Sequence, residues 1–150
     1  MANQYLSNFQ IIGSSIKNLK IKNDFVSLGN GASYKRKIDI SHSVPTIELI
    51  DDEKTLSGIL LLNIKVSVTS NKKKYSVDMC IEGCFNAPAE IGEEAFRNMV
   101  RVNGITSLYS IARGFIQSTT SQTLVSGSVL LPMFNVAAYS EDLDSQKADS

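Results

Sequence analysis

The sequence contains no tryptophan, three prolines, two cysteines and one histidine in 150 residues. Each scarcity removes a class of chemistry. A serine-type hydrolytic site needs a base, an orienting carboxylate and an oxyanion hole. The one histidine, His42, stands between two serines with no G-x-S-x-G elbow or other signature around it, and is read as exposed and structural. Neither a Walker loop nor a dinucleotide fingerprint is present. The chain is therefore expected to be no enzyme and to use no cofactor. No apolar run approaches the roughly 18 residues of a membrane span, and "MANQYLSNFQ" lacks the basic and apolar regions of a signal peptide. A cytoplasmic protein without a membrane partner is expected.

Charge of one sign is missing as well. Fifteen basic and fifteen acidic residues cancel, although residues 1–80 carry 11 Lys/Arg against 7 Asp/Glu and residues 81–150 carry 4 against 8. Nucleic-acid binders usually show a basic surplus over the whole domain, so neutrality argues against that partner while leaving room for a local patch. Cys80 and Cys84 share one face of an expected strand but lie about 13 Å apart at roughly 3.3 Å per residue. Both cannot reach one tetrahedral ion, and a disulfide is excluded unless Gly83 bends the strand strongly. Two reduced thiols and no metal site are expected.

What is present is apolar pattern. Hydrophobic residues make up 43% of the chain, enough for one folded domain with a core. Residues 9–22 read as an extended strand interrupted near Gly13, with Leu19 and Ile21 on one face and Asn18, Lys20 and Lys22 on the other. A Gly-containing loop over 23–33 follows. In 35–50, Ile38 and Ile40 keep one phase while Ile47 and Leu49 keep the opposite one. A period-two pattern changes phase only through an extra residue, which predicts a bulge near Pro45 and an unpaired side there. Residues 51–58 read as a turn or short loop, 59–69 as a cleanly alternating strand and 71–74 ("NKKK") as a solvated hairpin tip. The next strand sets Tyr75, Val77, Met79, Ile81 and Phe85 against Ser76, Asp78, Cys80, Glu82 and Cys84. Four antiparallel strands with one apolar face need a cover of helices, which makes the expected class α+β.

The cover comes from the rest of the chain. A short amphipathic helix is expected over 92–102, with Glu93 and Arg97 at i,i+4 and Asn103-Gly104 breaking it. Glu90, Glu93 and Glu94 open this helix, where carboxylates are favoured electrostatically, and form no acid/base pair. A second helix carries Ile105, Leu108, Tyr109, Ala112, Phe115 and Ile116 in one stripe, which Thr119, Thr120 and Thr123 continue. Gly114 within it marks a position where another backbone could approach closely. Beyond Gly127 an apolar run is interrupted by Pro132. The domain is expected over 9–139, between a flexible 1–8 and a disordered acidic tail at 140–150. Phe85, Phe96, Tyr109, Phe115, Met133 and Phe134 concentrate aromatic and sulfur surface in the second half; core filling explains half or more of them, and adaptable binding of polypeptide is the alternative.

The order of "FQI" (9–11), the paired long strands, "GCF" (83–85), "NGITSLYSIAR" (103–113) and "LLPMFNV" (130–136) resembles the SecB family of chaperones, from about Phe9 to Tyr139. The resemblance implies a four-stranded antiparallel sheet packed against C-terminal helices, assembly as dimers or dimers of dimers (tetramers), and ATP-independent holding of non-native polypeptide. It implies client contact in apolar grooves, with Phe85, Phe96, Val100, Tyr109, Phe115, Met133, Phe134, Val44 and Ile47 as candidates.

The departures from the protein-export branch are specific. That branch presents acidic residues on its sheet to the SecA motor. Asp78 matches one such position and is the motor-contact candidate, but Asn18 and Lys22 occupy two others, and a cation reverses the contribution to a charge-complementary interface. The family's helix proline is absent at Ser110, the C-terminal helix is short, and the tail has no Cys/His cluster for zinc. These departures fit SecB-like chaperones dedicated to an antitoxin in toxin–antitoxin–chaperone systems. A general export chaperone delivering preproteins is the alternative. A nucleic-acid adaptor using Lys17, Lys20, Lys22 and the 72–74 tip is the alternative from another class.

Overall fold

Among the described residues the strands and main helices are, in order, β1 (Gln10–Asn23), β2 (Lys35–His42), β3 (Thr46–Ile50), β4 (Thr55–Ser70), β5 (Lys73–Pro88), α1 (Glu93–Met99) and α2 (Ile105–Ser121). The computed structural model describes residues 7–29, 34–133, 135, 136, 138 and 139. Phe134, the tail at 140–150 and residues 1–6 of the expected flexible N-terminus lie outside the described residues.

The sheet runs β1-β5-β4-β2, antiparallel throughout, and β3 also pairs with β4. β2 takes Leu62–Thr69 of β4 and β3 takes Thr55–Ile59, so the two lie end to end along one edge. The sheet is thus four strands wide with five strands in it. From His42 to Thr46 the chain takes four steps while its partners Leu62 and Ile59 are three apart. That extra residue is the bulge the phase change demands, and Ile40 and Ile47 are both half-buried on the helix side as a result.

β1 uses the same device twice, with register shifts at Ile12 and Lys17. The interruption expected near Gly13 is a bulge within a continuous strand. Because each extra residue resets the phase, Ile11, Ile16, Leu19 and Ile21 all stand opposite core residues, namely Phe85, Ile81, Met79 and Val77. The turn expected over 51–58 is shorter than that, since Ile50 pairs with Thr55 and Thr55 with Pro88. Ser57 and Gly58 break the alternation and hid the start of β4. A side chain at Gly58 would meet Phe96 and Val100 at 3.0 and 3.1 Å, so the glycine leaves room for the helix above it. The β4–β5 tip is a two-residue turn at Asn71 and Lys72, both at positive φ, and Lys73 and Lys74 belong to β5.

The helices cover one face of this sheet. Leu60, Leu62 and Ile64 of β4 and Tyr75, Met79 and Phe85 of β5 are all 0% exposed. Burial of each such side chain stabilises the fold by about 1.5–3 kcal/mol before ordering costs. Asn103-Gly104 does not break the helical stretch. A single π turn, Val100–Gly104, carries α1 directly into α2, and Gly104 is itself helical at φ −65°, ψ −47°. Its role is steric, because a Cβ there would lie 3.1 Å from the Phe85 ring. Glu93 and Arg97 form their ion pair at 3.1 Å. Ile105, Leu108, Tyr109, Ala112, Ile116 and Thr120 are the buried stripe of α2. Among the described residues, nothing beyond the local helix backbone and the neighbouring residues comes within 4 Å of a Cβ placed on Gly114.

The loop after β1 is tied to the segment after α2. Val125 N–H donates to Val26 O at 2.8 Å and Leu28 N–H to Ser126 O at 3.0 Å. Gly127 sits at φ +88°, and a Cβ there would lie 2.1 Å from Leu28 O. Backbone cannot retreat as a side-chain tip can. Gly127→Ala is expected to destabilise the fold by at least about 2 kcal/mol, read as a lower urea midpoint at unchanged m-value. An unchanged midpoint would refute the assigned close approach.

Candidate functional site

Residues 128–133 cross between α2 and the helix-side face of β2 as a strap. Val129 and Leu131 point inward, at 2% and 0% exposed, while Leu130 is half-buried and Pro132 and Met133 face out. Side chains of α2 hold the strap by its backbone. Thr120 Oγ1 accepts Val129 N–H at 2.8 Å and donates to Ile116 O at 2.6 Å. Arg113 Nε donates to Leu131 O at 2.9 Å, and the Tyr109 hydroxyl donates to Pro132 O. Burial pushes the Tyr109 pKa above the ordinary tyrosine value, with the Arg113 guanidinium pulling the other way, so the hydroxyl stays a proton donor. The Thr-rich end of α2 thereby gains a purpose, since Tyr75 also bonds Thr123 Oγ1 at 2.5 Å.

Two cavities, of about 230 and 170 Å³, open beside the strap and meet at Arg36, Val68, Val129 and Leu130. The first reaches Leu28 and Tyr34 of the loop after β1, and the second reaches Ile38 and Pro132. The second is almost wholly apolar, with Arg36 and Lys37 at its margin, whereas the first mixes apolar side chains with Tyr34, Arg36, Gln117 and Ser128. Alongside, β2 and β3 pair only with β4 among the described residues, so their outer edge keeps its backbone donors and acceptors available. An apolar groove next to a free strand edge suits an extended polypeptide, whose backbone can pair while alternate side chains enter pockets.

The expected client-contact residues among the described ones fall into three groups. Phe85, Phe96 and Val100 are 0% exposed and Tyr109 is 5% exposed; their side chains fill the core, and none of them lines the groove. Phe9 completes that packing, stacked on Phe85 at 5.3 Å and tilted against Phe96 at 5.9 Å between ring centroids. Phe115 and Ile47 are half-buried. Val44, in the bulge, and Met133, at the end of the strap, are 79% and 86% exposed. Sequence reasoning missed Leu28, Tyr34, Arg36, Ile38, Val68, Val129 and Leu130. One signal was available: Arg36 is a cation in the phase of Ile38 and Ile40.

Other singled-out residues lie elsewhere. His42 is half-buried rather than exposed, with Nδ1 2.8 Å from Ser43 O and its ring edge-on to Tyr139 at 5.8 Å. Cys80 and Cys84 are both free and face away from the helices; burial first, then the Glu82 and Asp78 carboxylates, raises the Cys80 pKa against the pull of Lys17. Asp78 is on that same outer face, level with Lys20 and Lys65, and Asn18 and Lys22 flank it.

The strap makes the groove testable. Thr120→Val removes the acceptor of a buried N–H and is expected to cost about 1–3 kcal/mol, with faster amide exchange at Val129 and Leu131. Thr120→Ser keeps the hydroxyl and is expected to retain protection. Equal exchange in both variants would remove the strap from this account.

No protein-family model matches the chain, and no curated protein matches it either. Among solved structures, a SecB-like chaperone of Mycobacterium tuberculosis, in complex with a ChAD peptide from an antitoxin, aligns with TM-score 0.60 at 10% identity. The alignment covers 85% of this chain and 91% of that one. A protein of unknown function from Streptococcus agalactiae aligns at TM-score 0.49 and 12% identity, over 83% of this chain and 97% of that one. No helix among the described residues is long and apolar enough to cross a membrane. The one-faced antiparallel sheet, its split edge strand and its C-terminal helical cover together constitute a SecB-like fold.

Proposed function

We propose that the chain is an ATP-independent holdase without catalytic activity, and that its client is an aggregation-prone antitoxin. The observation that carries the reading is the apolar groove at Arg36, Val68, Val129 and Leu130 beside the free β2–β3 edge. The solved neighbour of the same fold holds an antitoxin peptide, which supports polypeptide as the ligand class. Two or three client side chains buried in such a groove contribute several kcal/mol, at about 1.5–3 kcal/mol each. A micromolar site needs about 8 kcal/mol after ordering costs, so edge pairing and repeated sites on a dimer or dimer of dimers supply the remainder.

The same reading disfavours the export branch. Lys22 and Asn18 share a face with Asp78, and Lys20 and Lys65 are its cross-strand neighbours, so an acidic motor-docking patch is not formed there. A cytoplasmic location belongs to the reading as well.

Purified protein is expected to suppress aggregation of a denatured model client and of an antitoxin encoded beside it. Leu130→Asp places a carboxylate where the two cavities meet and is expected to weaken capture about tenfold, equivalent to about 1.4 kcal/mol. Absence of suppression by the wild-type chain would sink the holdase reading, and a tight, salt-sensitive SecA complex would restore the export alternative.

A further inference from the structure

The outer face of the sheet, opposite the helices, carries lysines in rows. One row reads Lys22, Ser76, Ser67, Lys37 across the four strands, and the next reads Lys20, Asp78, Lys65, Asp39. Lys74, Thr69 and Lys35 lie one row nearer the β4–β5 tip, where Lys72 and Lys73 follow. A shallow cavity of about 410 Å³ opens among Lys20, Lys22, Lys37, Lys65 and Lys74, with Asp39 and Asp78 on its wall. The neutral total therefore conceals a concentrated cationic face. None of these lysines is held in an ion pair among the described residues. The nearby Asp24 has its Oδ2 engaged by Lys74 N–H at 3.0 Å.

We propose that this face binds double-stranded DNA through its phosphate backbone, independently of base sequence. Three observations select that occupant. No large exposed hydrophobic residue lies in these rows, whereas a stable protein partner requires buried apolar or aromatic anchors. No aromatic side chain lies in these rows either, and single-stranded nucleic acids are held largely by stacking on aromatics. Lysines interleaved with Ser and Thr hydroxyls are the donors that phosphate oxygens take, and counterion release supplies the affinity. The scale also fits. Lys22 and Lys37 stand three strands apart, roughly 14 Å at about 4.8 Å per strand, so their flexible arms reach the two backbones bordering a major groove about 12 Å wide. Asp39 and Asp78 oppose binding and set the boundary of the patch towards Asn18, Cys80, Asn63 and Ser41.

The test uses the full chain and a fluorescent random-sequence duplex of roughly 20 base pairs, titrated by anisotropy across a salt series. Binding is expected with a slope of log K against log salt near −4, at about −0.9 per phosphate contacted by four or five lysines. Lys22→Glu with Lys65→Glu is expected to weaken binding at least about tenfold and flatten the slope. Asp39→Asn with Asp78→Asn is expected to tighten it, a gain that misfolding cannot imitate. Aggregation suppression is expected to be unchanged in both, which separates this surface from the client groove. No duplex binding at low salt, affinity unchanged in the charge variants, or tighter binding of single-stranded RNA or an acidic peptide than of duplex would each overturn the proposal.

Discussion

The contact between Phe85 and the helical segment above it sets the spacing of the two layers. Phe85 rises from β5 with no solvent exposure, flanked by Gly83 on its own strand and Gly104 on the helix. A Cβ on Gly83 would come within 2.8 Å of both Leu108 and the Phe85 ring, and one on Gly104 within 3.1 Å of that ring. Two glycines thus admit one large ring and let the helical backbone approach the sheet closely. Phe9, from the chain entering β1, stacks on the same ring and in turn meets Phe96 of α1. The π turn at Val100–Gly104 brings Gly104 over this ring.

With the helices held there, the far end of α2 reaches the loop after β1. Main-chain bonds to Val26 and Leu28 and the hydroxyl of Thr120 replace apolar packing as the means of attachment. This division explains the composition of α2. Its first turns bury Leu108 and Ala112, while its last turns need hydroxyls to satisfy the buried backbone of the strap. The groove lies where apolar packing gives way to polar tethering. The cationic surface lies on the opposite side of the sheet, and of its lysines only Lys37, on the edge strand, also lines the groove.

Period-two alternation made β4, β5 and the bulge at the β2–β3 junction legible, and helical spacing made the covering helices so. The phase conflict between Ile40 and Ile47 leaves a chain with one buried face no other solution. The glycines were misread, because a helix breaker and a close-packing site look alike along a chain. Asn103-Gly104 resembles a stop signal, yet the partner that requires Gly104 is Phe85, 19 residues earlier. The aromatic residues expected in a groove are buried in the core, and a similar ambiguity hides this along the chain. Phe85, Phe96 and Tyr109 carry the same periodicity whether they face a core or an open surface.

The sequence by itself determined which residues share a face, because the periods of strand and helix are local properties of the backbone. It therefore determined the α+β class, the one-sided sheet and the need for a cover. Only the tertiary structure decided which apolar residues remain accessible, since accessibility depends on elements far apart in the chain. The groove joins the loop after β1, β2, β4 and the strap after α2. The charge distribution followed the same rule. A net charge of zero is fixed by composition, but the gathering of lysines from four strands onto one face arises from register, which pairing alone sets.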